Sequence, residues 1–319
     1  MKKLVSFAIL IPCLFASSAQ QTDIPEAFIS NKLIKAKLYL PDFEKGYYRG
    51  TRFDWSGLIA SLEYKGHNFY GQWFEKYDPE THVDEFGPVG YDVAEVGGSF
   101  LKIGVGVLTR PDEKAYNSFG LYKISNPGKW KIKKNGNGIR FIQNLKDPVY
   151  SYLYEKNIQL VEGKPEMIIS YTLKNRGSHA IETTSYNHNF PVIDKQPAGP
   201  GYIISFPFKL SGTGQGFGDV VSIQDNKLIY LRNQTVADRV YSGDLKGFGK
   251  EADDYNITIE NTNVDAGIRI QCDQPLYKLV YWSSPTTVCP EPYIRIIVKP
   301  GEEYTWKIRY EYYTIPSGV

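Results

Sequence analysis

Tyr150–Asn175 reads YSYLYEKNIQLVEGKPEMIISYTLKN. Tyr152, Tyr154, Ile158 and Leu160 fall on one two-residue beat, Gly163 marks a turn, and Met167, Ile169, Tyr171 and Leu173 resume the beat on the far side. A period of two puts alternate side chains on opposite faces of a strand, whereas a helix would need a period near 3.6. The stretch therefore predicts two antiparallel strands with one face on a core.

The same reading extends outward in both directions. FGLYKI (119–124), WKIKKN (130–135) and IRFIQNL (139–145) precede it, punctuated by Gly128 and Asn135-Gly136-Asn137-Gly138. LIKAKLYL (33–40), Gly50–Asp54, Leu58–Tyr64 and FLKIGVGVL (100–108) read as earlier strands, the last as one buried strand. Ile181–Ile193 and a series of short strands running to Tyr304–Tyr313 follow. No window holds a helical period for more than a turn or two, so the fold class is all-β and antiparallel.

MKKLVSFAILIPCLFASSAQ opens the chain with two lysines, an apolar stretch from Leu4 to Phe15, and small residues at Ser17 and Ala19. This is the pattern of a cleaved secretory signal over 1–19, and its apolar run is too short to span a bilayer, which takes about 20 residues. Residues 20–319 are expected to form one domain, exported to the periplasm or secreted. Across 319 residues, 37 basic side chains against 35 acidic ones leave a formal charge of +2. That balance gives no electrostatic case for nucleic acid or an anionic membrane surface. Cys272 and Cys289 could pair in an oxidising compartment or remain two buried thiols. Neither has a His or Asp at metal-ligand spacing, and no metal or other cofactor is expected.

Chemistry concentrates in SYNHNFPVID (185–194), where His188 stands between Asn187 and Asn189. Imidazole titrates near neutral pH, so His188 can exchange a proton under physiological conditions. Arg52 and Asp54 share one face of the expected strand Gly50–Asp54, as either a surface ion pair or a hydrogen-bonding wall beside aromatic residues. His82 lies in the loop Asp78–Gly98. SGTGQGFG (211–218) lacks the Lys-Ser/Thr ending of a phosphate loop and reads as a flexible turn. In TTVCPEPY (286–293), Pro290 and Pro292 bracket Glu291, placing its carboxylate on what reads as a rigid turn.

Asn187-His188-Asn189-Phe190, Cys289-Pro290-Glu291-Pro292, and Pro300-Gly301-Glu302 with the strand after it occur in this order. Together they resemble the motifs of the galactose mutarotase (aldose 1-epimerase) superfamily over essentially the whole mature chain. The resemblance implies a β-supersandwich with its site in a cleft across the concave face, Glu291 acting as base and His188 as acid. It implies binding of a monosaccharide or an oligosaccharide end and interconversion of its anomers, by a monomer. The Asn-Arg-Ile segment and paired-His region of true galactose mutarotases are missing, so Arg52 and His82 match that family's sugar-binding Arg and first His only loosely. GTRFDWSG (50–57) and Ala237–Tyr241 look more like the hexose-6-phosphate mutarotase branch, which would make Asp238 a sugar-binding residue, with Asp254 its rival and Asn187 a further contact. The expected geometry places His188 and Glu291 on either side of one sugar ring, within about 12 Å of each other. The alternative is a non-catalytic carbohydrate-binding protein on the same scaffold.

Overall fold

Among the described residues, strand alternation gives four antiparallel sheets. The computed structural model describes residues 24–80 and 86–316; the signal-like segment and His82 lie outside them. The first sheet has the order β1 (Glu26–Ser30), β2 (Ile34–Tyr39), β3 (Leu58–Tyr64) and β4 (His67–Asn68), and a small one holds β5 (Ser99–Lys102), β6 (Gly106–Thr109) and β7 (Ile124–Asn126). The largest sheet runs β14 (Val221–Gln224), β15 (Lys227–Tyr230), β13 (Tyr202–Ser205), β17 (Asn256–Asn261), β18 (Ala266–Cys272), β21 (Glu303–Thr314), β11 (Glu166–Asn175), β10 (Tyr152–Leu160), β9 (Gly138–Leu145) and β8 (Lys129–Lys134). The last sheet runs β12 (Ile181–Ser185), β20 (Thr287–Val298), β19 (Lys278–Ser284) and β16 (Val240–Leu245).

The hairpin read first sits near the middle of the large sheet, with Leu160 opposite Met167 and Tyr152 opposite Asn175. Its inward residues join Trp306, Tyr310 and Tyr312 of β21 in one hydrophobic core that extends from Ala27 to Tyr312. Tyr171 stacks on Trp306 at 4.6 Å between ring centroids, an offset arrangement that stabilises beyond simple burial. Lys156 also occupies an inward position of β10. At the sheet margin, β8 carries exposed lysines, which discourage pairing with another chain.

Several strand expectations change. FLKIGVGVL is a hairpin, because Gly104 (φ 78°) and Gly106 (φ 145°) take conformations that turn the chain, and Leu101 pairs back onto Val107. Gly50–Asp54 lies in the irregular connection between β2 and β3. Cys272 and Cys289 are both buried and unbridged. Burial pushes the Cys272 thiol up to about 12 and the Cys289 thiol well above its ordinary value. Among the described residues no helix is long and apolar enough to cross a membrane.

Candidate functional site

β12 follows β20 only as far as Ser185, opposite Ile294. The chain then leaves the sheet and is caught again by a bridge between Pro191 and Tyr70. His188 is therefore on an irregular segment, not on the continuous strand that the sequence predicts. The reason lies at Phe190, whose φ of 41° is incompatible with a strand and costly for a residue with a side chain, about 1–3 kcal/mol. Aromatic packing holds it there. The Phe190 ring stacks on His188 at 3.7 Å and 12° and on Trp73 at 4.6 Å and 9°. Phe53 and Trp282 meet the imidazole edge-on at 6.3 and 5.6 Å.

Glu291 comes from the neighbouring strand. Cys289-Pro290-Glu291-Pro292 forms part of β20, with Glu291 opposite Val280 of β19, so the expected turn is a strand. Proline cannot donate to a ladder and is tolerated only where one edge is open. That condition is met here, since β12 no longer pairs with β20 before Ile294. His188 Nε2 and Glu291 Oε1 are 3.0 Å apart, with side chains 3% and 8% exposed. The two groups converge across about 100 residues, but they touch and leave no gap for a sugar ring between them. A carboxylate at Nε2 fixes the orientation of the imidazole and favours a proton on that nitrogen.

His188 belongs to the wall of a cleft of about 200 Å³. Single waters need about 15 Å³, so this space suits an organic ligand. One wall is aromatic: Tyr39, Tyr47, Phe53, Trp73, Phe74 and Tyr77, contributed by the end of β2 and by the loops on either side of β3 and β4. Polar groups are supplied by Tyr310 and Lys156 from the large sheet and by Asp54, Asn187 and Asn189 from irregular segments. Asp54 Oδ2 accepts from Tyr154 O–H at 2.7 Å and from Lys156 Nζ at 3.3 Å, while Ser56 N–H donates to Oδ1 at 2.8 Å. Lys156 also donates to the Ser56 carbonyl at 2.9 Å, and its side chain is 7% exposed. Asn187 donates through Nδ2 to the hydroxyls of Tyr171 and Tyr310, at 2.8 and 3.0 Å. The Tyr310 hydroxyl donates in turn to Asn189 Oδ1 at 2.7 Å.

Of the residues singled out from sequence, His188, Asn187 and Asp54 line the cleft, and Glu291 reaches it through His188. Three others are placed elsewhere. The Arg52 guanidinium lies over the Phe119 ring at 3.9 Å, a cation–π contact that draws it out of the lining. Asp238 is gripped by Arg232 at 2.8 and 2.9 Å and by the Thr235 N–H at 2.7 Å, outside the cleft. Those hydrogen bonds, the guanidinium's foremost, hold its carboxyl well below the usual carboxylate range. Asp254 accepts from the Gly249 N–H at 2.5 Å in a short 3-10 turn and also lies outside the lining. Lys156, Asn189, Trp73 and Tyr310 are cleft residues to which the sequence reading gave no role. Lys156 did leave a signal, as a charge on the buried beat of Tyr152–Leu160. Among the described residues no three His, Cys, Asp or Glu side chains group as metal ligands.

No protein-family model and no curated protein matches the sequence. Solved structures do match its fold. An aldose epimerase homologue from C. elegans superposes with a TM-score of 0.54 at 10% identity, over 91% of this chain and 100% of its own. A galactose mutarotase-like protein from Clostridium acetobutylicum gives 0.53 at 11% identity, over 91% and 95% of the two chains. Galactose 1-epimerase from Lactobacillus acidophilus NCFM gives 0.50 at 9% identity, over 92% and 100%. The chain therefore has the galactose mutarotase-like β-sandwich fold. At such identities the likeness is one of fold, and function has to be argued from the site.

Proposed function

We propose that the chain is an exported, monomeric aldose 1-epimerase-like protein that interconverts the anomers of a free sugar or an oligosaccharide reducing end. The observation that carries this reading is the buried His188–Glu291 pair at 3.0 Å, set in the wall of an aromatic cleft on a mutarotase-like fold. Mutarotation removes the proton of the anomeric hydroxyl as the bond between the anomeric carbon and the ring oxygen breaks, and that oxygen gains a proton. Rotation and reclosure on the other face reverse both transfers. His188, the member of the pair that lines the cleft, takes the hydroxyl proton, and water admitted with the sugar protonates the ring oxygen. Glu291 orients the imidazole and balances the charge that develops on it, as a carboxylate behind a histidine does in other proton-transfer sites. This differs from the resemblance, which gives Glu291 the role of direct base and His188 that of acid. No arginine lines the cleft, so a phosphate-gripping site of the hexose-6-phosphate kind has no support among the described residues.

A second reading, a carbohydrate-binding protein without turnover, is favoured by one feature. His188 is only 3% exposed beneath the Phe190 ring, so a sugar could stack on the aromatic wall without meeting it. Polarimetry and NMR exchange on freshly dissolved aldoses separate the two. Equilibration that is fast with the native protein and lost with Glu291→Gln supports turnover. Calorimetric binding that persists in a His188→Ala/Glu291→Gln variant, with no acceleration by either protein, supports binding alone.

A further inference from the structure

Beside His188, the hydrogen bonds run in one direction. Because Asn187 donates to the Tyr310 hydroxyl, that hydroxyl is left to spend its own proton on Asn189 Oδ1. The Asn189 amide is thereby fixed: its oxygen faces Tyr310, and its NH₂ is turned the other way. That nitrogen is shielded from water and has no hydrogen-bond acceptor among the described residues, although Asn189 lines the cleft. A buried donor without an acceptor is destabilising, and native proteins rarely retain one without a use for it. The next residue, Phe190, is the one with the left-handed backbone, so an unsatisfied donor and a strained turn are adjacent and both border His188. Strain of this kind is concentrated at ligand clamps.

We propose that Asn189 is the specificity-determining residue of the cleft, its amide N–H groups binding a sugar oxygen next to the one that His188 deprotonates. The Phe190 turn relaxes to admit that oxygen, which satisfies the donor and relieves the backbone together. Asn187, the residue that the motif suggests as a sugar contact, serves instead as a positioning residue: its amide is committed to Tyr171 and Tyr310 and sets the direction of the relay. The inference rests on the sugar-binding reading above.

Asn189→Asp is the informative variant, because it keeps the acceptor for Tyr310 and the side-chain shape while replacing the donor NH₂ by an anionic acceptor oxygen. Calorimetry against a panel of neutral aldoses and their single-deoxy analogues is expected to show affinity for the preferred sugar reduced at least about tenfold, the size of one lost hydrogen bond to a ligand. One deoxy analogue should bind the native protein and the variant equally, identifying the oxygen that Asn189 reads. Tyr310→Phe, which frees the amide to rotate, should weaken the same sugar by a smaller factor; this measurement stands if Asn189→Asp does not fold. Unchanged affinity for every sugar in both variants, with the native protein still binding, overturns the role of Asn189 and leaves the sugar-binding reading intact. A native protein that binds no sugar overturns both.

Discussion

Two buried carboxylate contacts border the cleft, Asp54 with Lys156 and Glu291 with the His188 imidazole, and their surroundings are opposite in kind. Asp54 and Lys156 are embedded in hydrogen bonds from Ser56 and Tyr154, with the fixed backbone of Gly104 packed against the carboxylate. His188 and Glu291 meet among aromatic rings, where a segment that has left its sheet crosses a strand that has not. A carboxylate held by donors on all sides is immobile, which suits a floor. A carboxylate whose close partner is an imidazole can balance the charge that an arriving proton brings to that ring. The difference assigns structure to the first pair and chemistry to the second, although both are similarly buried.

That contrast is most severely tested by breaking the floor. Asp54→Ala leaves the Lys156 ammonium buried without its counter-charge, and such changes cost about 3–5 kcal/mol. Urea unfolding should show it as a lower midpoint at unchanged slope. Asp54→Leu combined with Lys156→Met should recover much of the loss, because replacing a whole buried pair by apolar groups is often close to neutral. A cost under about 1 kcal/mol for Asp54→Ala would show that the pair is not structural. At the other pair the effect should appear in rate. Glu291→Gln keeps the shape and a hydrogen bond to His188, so the urea midpoint should move little while anomer exchange falls by about a hundredfold or more. If Glu291→Gln unfolds the protein as readily as Asp54→Ala does, the two pairs are of one kind.

A smaller change probes the same floor from above. A Cβ at position 104 would sit 2.5 Å from Asp54 Oδ1, on a backbone with φ 78° that disfavours any side chain. Gly104→Ala should therefore cost about 1–3 kcal/mol in the same unfolding experiment. It should leave the His188–Glu291 chemistry intact, measured as anomer exchange per folded molecule.

How much of this could be read from the sequence differs between the pairs for physical reasons. The two-residue beat of Tyr152–Leu160 fixes the hairpin, its inward face and the placement of Lys156 on that face. The partner of Lys156 is 102 residues earlier, in an irregular connection, where no periodicity indicates which way Asp54 points. His188 and Glu291 stood out through the resemblance of their motifs, but the turn read at Glu291 is a strand, because the edge its prolines occupy is open. Asp238 illustrates the opposite failure. The local run suggested a sugar ligand, while Arg232, six residues earlier, captures the carboxylate on the surface. Short-range signals predicted elements well, and competition for side-chain partners decided which of them reached the cleft.

The smallest expected effect uses the thiols to follow the His188–Glu291 half of the comparison. Cys289 is buried two residues before Glu291 on β20, and Cys272 is buried on β18 of the large sheet. Only the thiolate reacts with a maleimide, and burial keeps both thiols protonated far above neutral pH. At pH 7 neither should be labelled in the folded protein, and both should be labelled in urea. Raising the pH to 9 should still leave Cys272 unlabelled, since its thiol is pushed up to about 12. If the 186–190 segment moves when a sugar binds, Cys289 is the thiol beneath it, and a saturating sugar should change its slow labelling rate while that of Cys272 stays constant. Equal changes at both cysteines would point to a general loosening of the sandwich. No change at either would leave the His188 wall as rigid as the Asp54 floor and remove the dynamic part of the contrast between them.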